Sequence, residues 1–162
     1  MQKQIPAQYK LEWHMLHTDC IALAKKIAKQ YDIIMAISRG GLVVARILSD
    51  ILDLPISHIT IASYTDIQQH TEPVITEAPL KMYRGQHVLI VDEISDSGKT
   101  FERAISYLKQ FPIASVDTAS PYIKPKTIHK PTYWLKTINT WIVFPYEIEE
   151  TKRLMQQSAK KK

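Results

Sequence analysis

The chain carries one cysteine, four glycines and three phenylalanines in 162 residues. It also has no apolar run near the ~20 residues that a membrane-spanning helix needs, so no membrane partner is expected. Cys20 alone cannot close an intrachain disulfide, which suits a reducing compartment, and its surroundings read as a buried helix position. No secretory leader is recognisable, and a cytoplasmic location is expected. Charge of one sign is scarce as well: of the +5 net charge, three units belong to Lys160, Lys161 and Lys162, which leaves two for the body. Residues 159–162 therefore read as a solvated basic tail. No basic strip interleaved with aromatics exists, so nucleic acid is not an expected partner. One missing glycine is equally informative. The ending Gly98-Lys99-Thr100 suggests the phosphate loop of nucleoside triphosphatases, but that motif needs glycine at position 93, where this chain has Glu93.

What is present is an alternation of helical and strand patterns. Leu16, Cys20, Leu23, Ala24, Ile27, Ala28 and Tyr31 recur at helical spacing and predict a helix over about 14–30. Strands are expected at 33–37, 56–63, 88–91 and 113–119, with helices from about 41 to Pro55 and from 99 to about 110. Residues 64–84, with Pro73 and Pro79, lack periodicity and read as a long loop of the kind that closes over sites. Length and composition suit one α/β domain.

The segment HVLIVDEISDSGKT, 87–100, concentrates the chemistry. A buried apolar strand ends in two acids, Asp92 and Glu93, and a small polar loop, Asp96, Ser97, Gly98, Lys99 and Thr100, then opens a helix. Backbone amides at such a turn cradle a phosphate. The acid pair accepts from a vicinal diol or holds Mg²⁺. A sugar phosphate meets both demands. Ser38-Arg39-Gly40-Gly41 also follows a strand and precedes a helix, with Arg39 adding a fixed cation. Taken singly it is a glycine turn; beside the later loop it becomes a second anion site on the same carboxyl edge.

Residues 87–100 resemble the phosphoribosyl pyrophosphate (PRPP) signature of type I phosphoribosyltransferases. The resemblance assigns Asp92 and Glu93 to the ribose hydroxyls and Mg²⁺, and Asp96 to Thr100 to the 5′-phosphate. Ser38 to Gly41 become the pyrophosphate loop, with a non-proline cis peptide between Ser38 and Arg39. Aspartate at position 96 is the mark of 6-oxopurine enzymes, and as a carboxylate it can take the N7 proton of the attacking base. The competing assignment of Asp96 is an N-cap of the next helix. Lys124-Pro125 and TWIVFPYE at 140–147 resemble the base-binding end of xanthine-guanine and hypoxanthine-guanine enzymes. There Lys124 would meet the purine O6, Trp141 would pack on the ring and the Ile142 backbone would read the C2 edge. A solvated Lys124 and a core Trp141 are the bland alternatives.

The resemblance implies a parallel five-stranded sheet flanked by helices in a single domain over 1–158. Its core would span about 30–120, with a small hood from about 1–30 and 121–158. It also implies an enzyme that converts PRPP and hypoxanthine, guanine or xanthine to a nucleoside 5′-monophosphate and pyrophosphate, with Mg²⁺ as cofactor and Asp96 and Arg39 as catalytic groups. A homodimer or homotetramer is the expected assembly. A phosphoribosyltransferase for another base and a PRPP-sensing regulatory protein are the alternatives.

Overall fold

Two strands are apolar on both sides, and this sets the architecture. In Ile33–Ser38 and His87–Val91 the pleat sends Ile34, Ala36, Leu89 and Val91 into one cluster and Met35, Ile37, Val88 and Ile90 into another. Both faces of these strands must therefore be covered. A computed structural model, describing residues 8–62, 65–66, 69–70, 72–79 and 83–160, shows how. In chain order its elements are β1 (Gln8–Lys10), α1 (Trp13–Ala24), β2 (Ile33–Ser38), α2 (Gly41–Leu52), β3 (Ile56–Ala62), β4 (Thr65–Asp66), β5 (Gln69–His70), β6 (Val74–Glu77), β7 (His87–Val91), β8 (Ile94–Ser95), α3 (Lys99–Leu108), β9 (Ser115–Ile123), β10 (Tyr133–Thr137), β11 (Trp141–Val143) and α4 (Ile148–Lys160).

The main sheet has five parallel strands in the order β10-β9-β7-β2-β3, the number that the family resemblance implies; β10 is the one not located from the sequence pattern. Strand β6 is added antiparallel at the β3 edge, and short β8 pairs with β9. Helices α1 and α2 cover one face through Leu16, Cys20, Leu23, Val44 and Leu48. Helix α3 covers the other through Phe101, Ala104 and Leu108. A second, two-stranded sheet joins the chain ends: β1 runs parallel to β11, with Gln8 opposite Trp141 and Lys10 opposite Val143.

Several expected boundaries shift for local reasons. Helix α1 stops at Ala24 because its last turn tightens to i→i−3 bonds, from Lys26 N–H to Leu23 and from Ile27 N–H to Ala24. Tyr31 is then held outside the helix by bonds to Asp117 and Tyr133. Helix α2 ends where Asp53 turns left-handed at φ 53° and the Leu54 N–H bonds back to Ser49, just before Pro55. The last strand expected, 113–119, begins at Ser115 and runs on to Ile123.

The loop expected at 64–84 contains paired backbone. Val74–Glu77 lies against the free edge of β3, with Ile61 opposite Ile75, and Thr65–Asp66 pairs with Gln69–His70. Ser63 and Tyr64 lie outside the described residues. The expected hood ranges also contain core elements, since α1 packs on the main sheet and β10 extends it.

Sequence periodicity alone did not expose Asp19. It lies in the buried stripe of α1, between Leu16 and Leu23, and is 6% exposed. Its carboxylate accepts from the Tyr122 hydroxyl at 2.7 Å and from the Lys136 ammonium at 2.7 Å to each oxygen, which ties α1 to β9 and β10. Asp19→Ala would strand the buried Tyr122 hydroxyl, while half-exposed Lys136 can turn to water, so the expected loss is about 2 kcal/mol of unfolding free energy. Tyr122→Phe should cost less, because it leaves the carboxylate paired with Lys136. Equal denaturation midpoints for wild type and Asp19→Ala would refute this account.

Candidate active site

Strands β2 and β7 are neighbours in parallel register, Ile33 opposite Val88 and Ala36 opposite Val91, so their carboxyl ends open side by side. The loops that leave them form the floor of a cleft of about 820 Å³. From β2 come Ser38, Arg39 and Gly40. The segment after β7 supplies Asp92, Glu93, Asp96, Ser97, Gly98, Lys99 and Thr100. The far wall is C-terminal, with Trp141, Tyr146, Glu147 and Glu150. The peptide between Ser38 and Arg39 is cis.

Glycine is required at two of these positions. A Cβ on Gly40 would collide with the Glu93 carboxylate, and Gly98 has φ +87° with no room beside His129. Gly98 is also the N-cap of α3, which receives no side-chain capping bond. Asp96 is therefore not the helix cap; it stands exposed at the cleft rim. Lys99 pairs with Glu72, from the segment before β6.

Three residues singled out from the sequence do not line this cleft. Gly41 sits behind it as the first residue of α2, where a Cβ would approach the Val91 carbonyl oxygen to 2.7 Å. Ile142 is buried in β11 at the heart of the small sheet. Lys124 is half-buried and outside the cleft: its ammonium donates to the Thr140 carbonyl, next to Trp141. Burial lowers its pKa, and the nearby Asp96 carboxylate opposes that shift. Trp141, by contrast, is 42% exposed and faces the cleft, so it is not a core residue.

The charge pattern of the cleft is dominated by acids. Asp92 is buried, and its Oδ1 accepts the Glu93 N–H at 3.0 Å. Burial pushes its carboxyl up to about 6, partly offset by the bonds to Glu93, with Glu147 adding repulsion. Glu93 is raised further, by burial and then by Asp92, and its Oε2 is buried without a hydrogen-bond partner. Glu147 rises to about 7 by burial and the charges of Glu93 and Glu150. Arg39 is the countercharge on the β2 side; one guanidinium nitrogen donates to both Glu150 oxygens, at 2.9 and 2.8 Å. This pair is largely exposed and contributes about 1 kcal/mol at most. The sequence reading overlooked Tyr146, Glu147 and Glu150. Their signal was the acid-rich stretch YEIEE directly after a buried strand, with Glu147 and Glu150 three residues apart at a helix start.

An orphaned carboxylate oxygen beside a second buried acid suits a divalent cation. Among the described residues no three His, Cys, Asp or Glu side chains group as a metal site of their own, so a cation here needs oxygens from its ligand as well. Mg²⁺ characteristically binds in this way, through one or two carboxylates and substrate phosphates. No described helix is long and apolar enough to cross a membrane.

Comparison with known proteins agrees with this geometry. The family model described as "Phosphoribosyl transferase domain" matches residues 11–151. The xanthine-guanine phosphoribosyltransferase of Cereibacter sphaeroides (strain ATCC 17025 / ATH 2.4.3) is 30% identical over 161 residues, covering 91% of this chain and 93% of that protein. Among solved structures, the purine phosphoribosyltransferase of Pyrococcus horikoshii Ot3 superposes with a TM-score of 0.78 at 34% identity, over 86% of this chain and 93% of its own. The xanthine-guanine-hypoxanthine phosphoribosyltransferase of Helicobacter pylori gives 0.77 at 26% identity, over 90% and 97%. With two glycine-containing turns and an acid pair on one sheet edge, and a family match over most of its length, the chain belongs to the phosphoribosyltransferases.

Proposed function

We propose that this enzyme transfers the 5-phosphoribosyl group of PRPP to a 6-oxopurine, namely hypoxanthine, guanine or xanthine, releasing pyrophosphate and a nucleoside 5′-monophosphate for purine salvage. The observation that carries this reading is the meeting of the Asp96–Thr100 loop, the Ser38–Gly40 loop and the exposed Trp141 ring in one cleft. The three relatives named above support the choice of a purine.

In this reading the amides and hydroxyls of Ser97 to Thr100 hold the 5′-phosphate at the N-terminus of α3. Asp92 and Glu93 accept from the ribose hydroxyls. Arg39 and the loop amides around it, with Gly41 setting the start of α2, take the pyrophosphate. Mg²⁺, held by Asp92 and Glu93 directly or through PRPP and water, would neutralise the leaving pyrophosphate. Trp141 offers its face to the purine ring, and the Ile142 backbone beside it reads the C2 edge. Lys124, whose ammonium rests on the Thr140 carbonyl next to Trp141, would have to turn from that carbonyl to donate to O6, a contact that favours a carbonyl over the amine of adenine.

The purine nitrogen forms its bond to C1′ as the bond from C1′ to the pyrophosphate oxygen breaks, and Asp96 takes the proton that the base gives up. Exclusion of water keeps C1′ from hydrolysis. A homodimer or homotetramer in the cytoplasm is the assembly and setting we propose.

The direct test is pyrophosphate release from Mg²⁺ and PRPP with each of hypoxanthine, guanine, xanthine and adenine. Turnover is expected with at least one 6-oxopurine and to be far slower with adenine; silence with all three 6-oxopurines would sink the assignment. Asp96→Asn is expected to lower kcat by roughly 100-fold, the usual scale of a lost general base. Its PRPP affinity, measured by calorimetry, should change little, and an unaltered kcat would remove Asp96 from the chemistry. The acid pair generates a third expectation. Asp92 and Glu93 have folded pKa values above their unfolded ones, so the stability they carry when protonated is lost as pH rises from about 4 through the raised pKa values, about 6 for Asp92 and well above the usual carboxylate range for Glu93. Glu93→Gln removes one of these charges, so its melting temperature relative to wild type should climb across that window. Mg²⁺ with PRPP should shrink the gap by stabilising the wild type, and a pH-independent difference would contradict the charge argument.

A further inference from the structure

The loop that follows β9, residues 124–132, lies directly behind the phosphate loop, and an unusual density of contacts joins the two. Ser95 is 1% exposed. Its hydroxyl donates to the His129 carbonyl at 2.7 Å and lies 2.8 Å from the Thr127 hydroxyl, which reaches the same carbonyl at 3.0 Å. Two hydroxyl hydrogens thus serve a closed triangle of three oxygens. The main chain adds two links: the Lys124 N–H donates to the Ser95 carbonyl and the Ile128 N–H to the Ser97 carbonyl, both at 2.9 Å. At Gly98 a Cβ would collide with the His129 nitrogen and come 2.7 Å from the Thr127 hydroxyl, so the loops touch with no intervening space. The His129 ring stacks on Phe101 in the first turn of α3, at 5.2 Å between centroids.

These contacts couple two subsites that the reaction uses separately. One loop carries Ser97 to Thr100, the phosphate cradle, and the other begins at Lys124, the purine-side lysine. We propose that Ser95 and Thr127 are positioning residues that lock the two loops into one unit, so that filling the phosphate cradle also sets Lys124 for the purine. The proposal rests on the phosphoribosyl transfer reading given above. A strand-end spacer position is thereby given a task. The buried Ser95 hydroxyl has both of its partners in the opposite loop, and without them it would be an unsatisfied buried group. By linkage the coupling is reciprocal: bound purine tightens PRPP by the same factor as bound PRPP tightens purine.

Thr127→Val keeps the shape and deletes the hydroxyl, and Thr127→Ser restores it; Ser95→Ala probes the triangle from the other side. In steady-state assays Thr127→Val is expected to raise KM for PRPP and for the purine together by about fivefold or more, with a smaller change in kcat. Thr127→Ser should return both values to near wild type. Lys124→Ala, by contrast, should raise KM mainly for the purine. A Thr127→Val enzyme whose two KM values match wild type, or in which only one moves, overturns the proposal.

Hydrogen exchange provides a readout independent of turnover. PRPP with Mg²⁺, without any base, should slow exchange of the Lys124 and Ile128 amides in wild type and do so much less in Thr127→Val and Ser95→Ala. No slowing at these amides in wild type also overturns the proposal. Absence of turnover with intact PRPP-dependent slowing would instead count against the assigned reaction and leave the loop coupling standing.

Discussion

The pairing of β2 with β7 is the constraint on which the rest of the molecule depends. Both strands are apolar on both faces, so they can sit only in the middle of a sheet covered by helices on either side. Their parallel register then brings the chain out of both at the same edge, and places Gly40 against the carboxylate of Glu93. The close approach at Gly41 follows from the same geometry, because α2 must begin hard against the last carbonyl of β7. A side chain at Gly41 would push against the β7 backbone, and one at Gly40 would displace the Glu93 carboxylate.

The cleft so formed is acid-rich although the proposed ligand is itself an anion. Burial raises the carboxyls of Asp92, Glu93 and Glu147 above the usual range, and repulsion from neighbouring acids adds to it. Arg39 is already shared with Glu150. Such a site favours a phosphorylated ligand that arrives with a cation and with hydroxyl hydrogens to donate, and it offers poor terms to a bare phosphate. This charge pattern is in keeping with the proposed ligand, the metal complex of a sugar phosphate, for which the loop amides would supply the shape. Behind this site the triangle of Ser95, Thr127 and the His129 carbonyl supports the amides from the side away from the ligand.

Much of this was legible in residue order because it is local. The strand, acid pair and phosphate turn of 87–100 lie within one segment, and so does the turn at 38–41; short-range backbone chemistry determines both. An α/β core also followed from apolar strands alternating with amphipathic helices, while its five parallel strands were implied by the family resemblance. Failures came where a partner far along the chain decides. Val74–Glu77 has no periodicity to announce a strand, yet the open edge of β3 makes it one. Asp19 breaks an apolar stripe and is tolerated only because Tyr122 and Lys136 meet it from β9 and β10.

The sequence by itself determined the local frame of the cleft: two acids after β7 and two glycine-containing turns, each written in consecutive residues. Only the tertiary structure decided which distant groups share the cleft with them. It brought Glu147 and Glu150 opposite Glu93 and Arg39, turned Trp141 toward the open space, withdrew Lys124 onto the Thr140 carbonyl and placed Thr127 against Gly98. The physical reason is that these relations depend on the crossing of segments 16 to 111 residues apart, which side-chain packing and charge settle only once the sheet has formed.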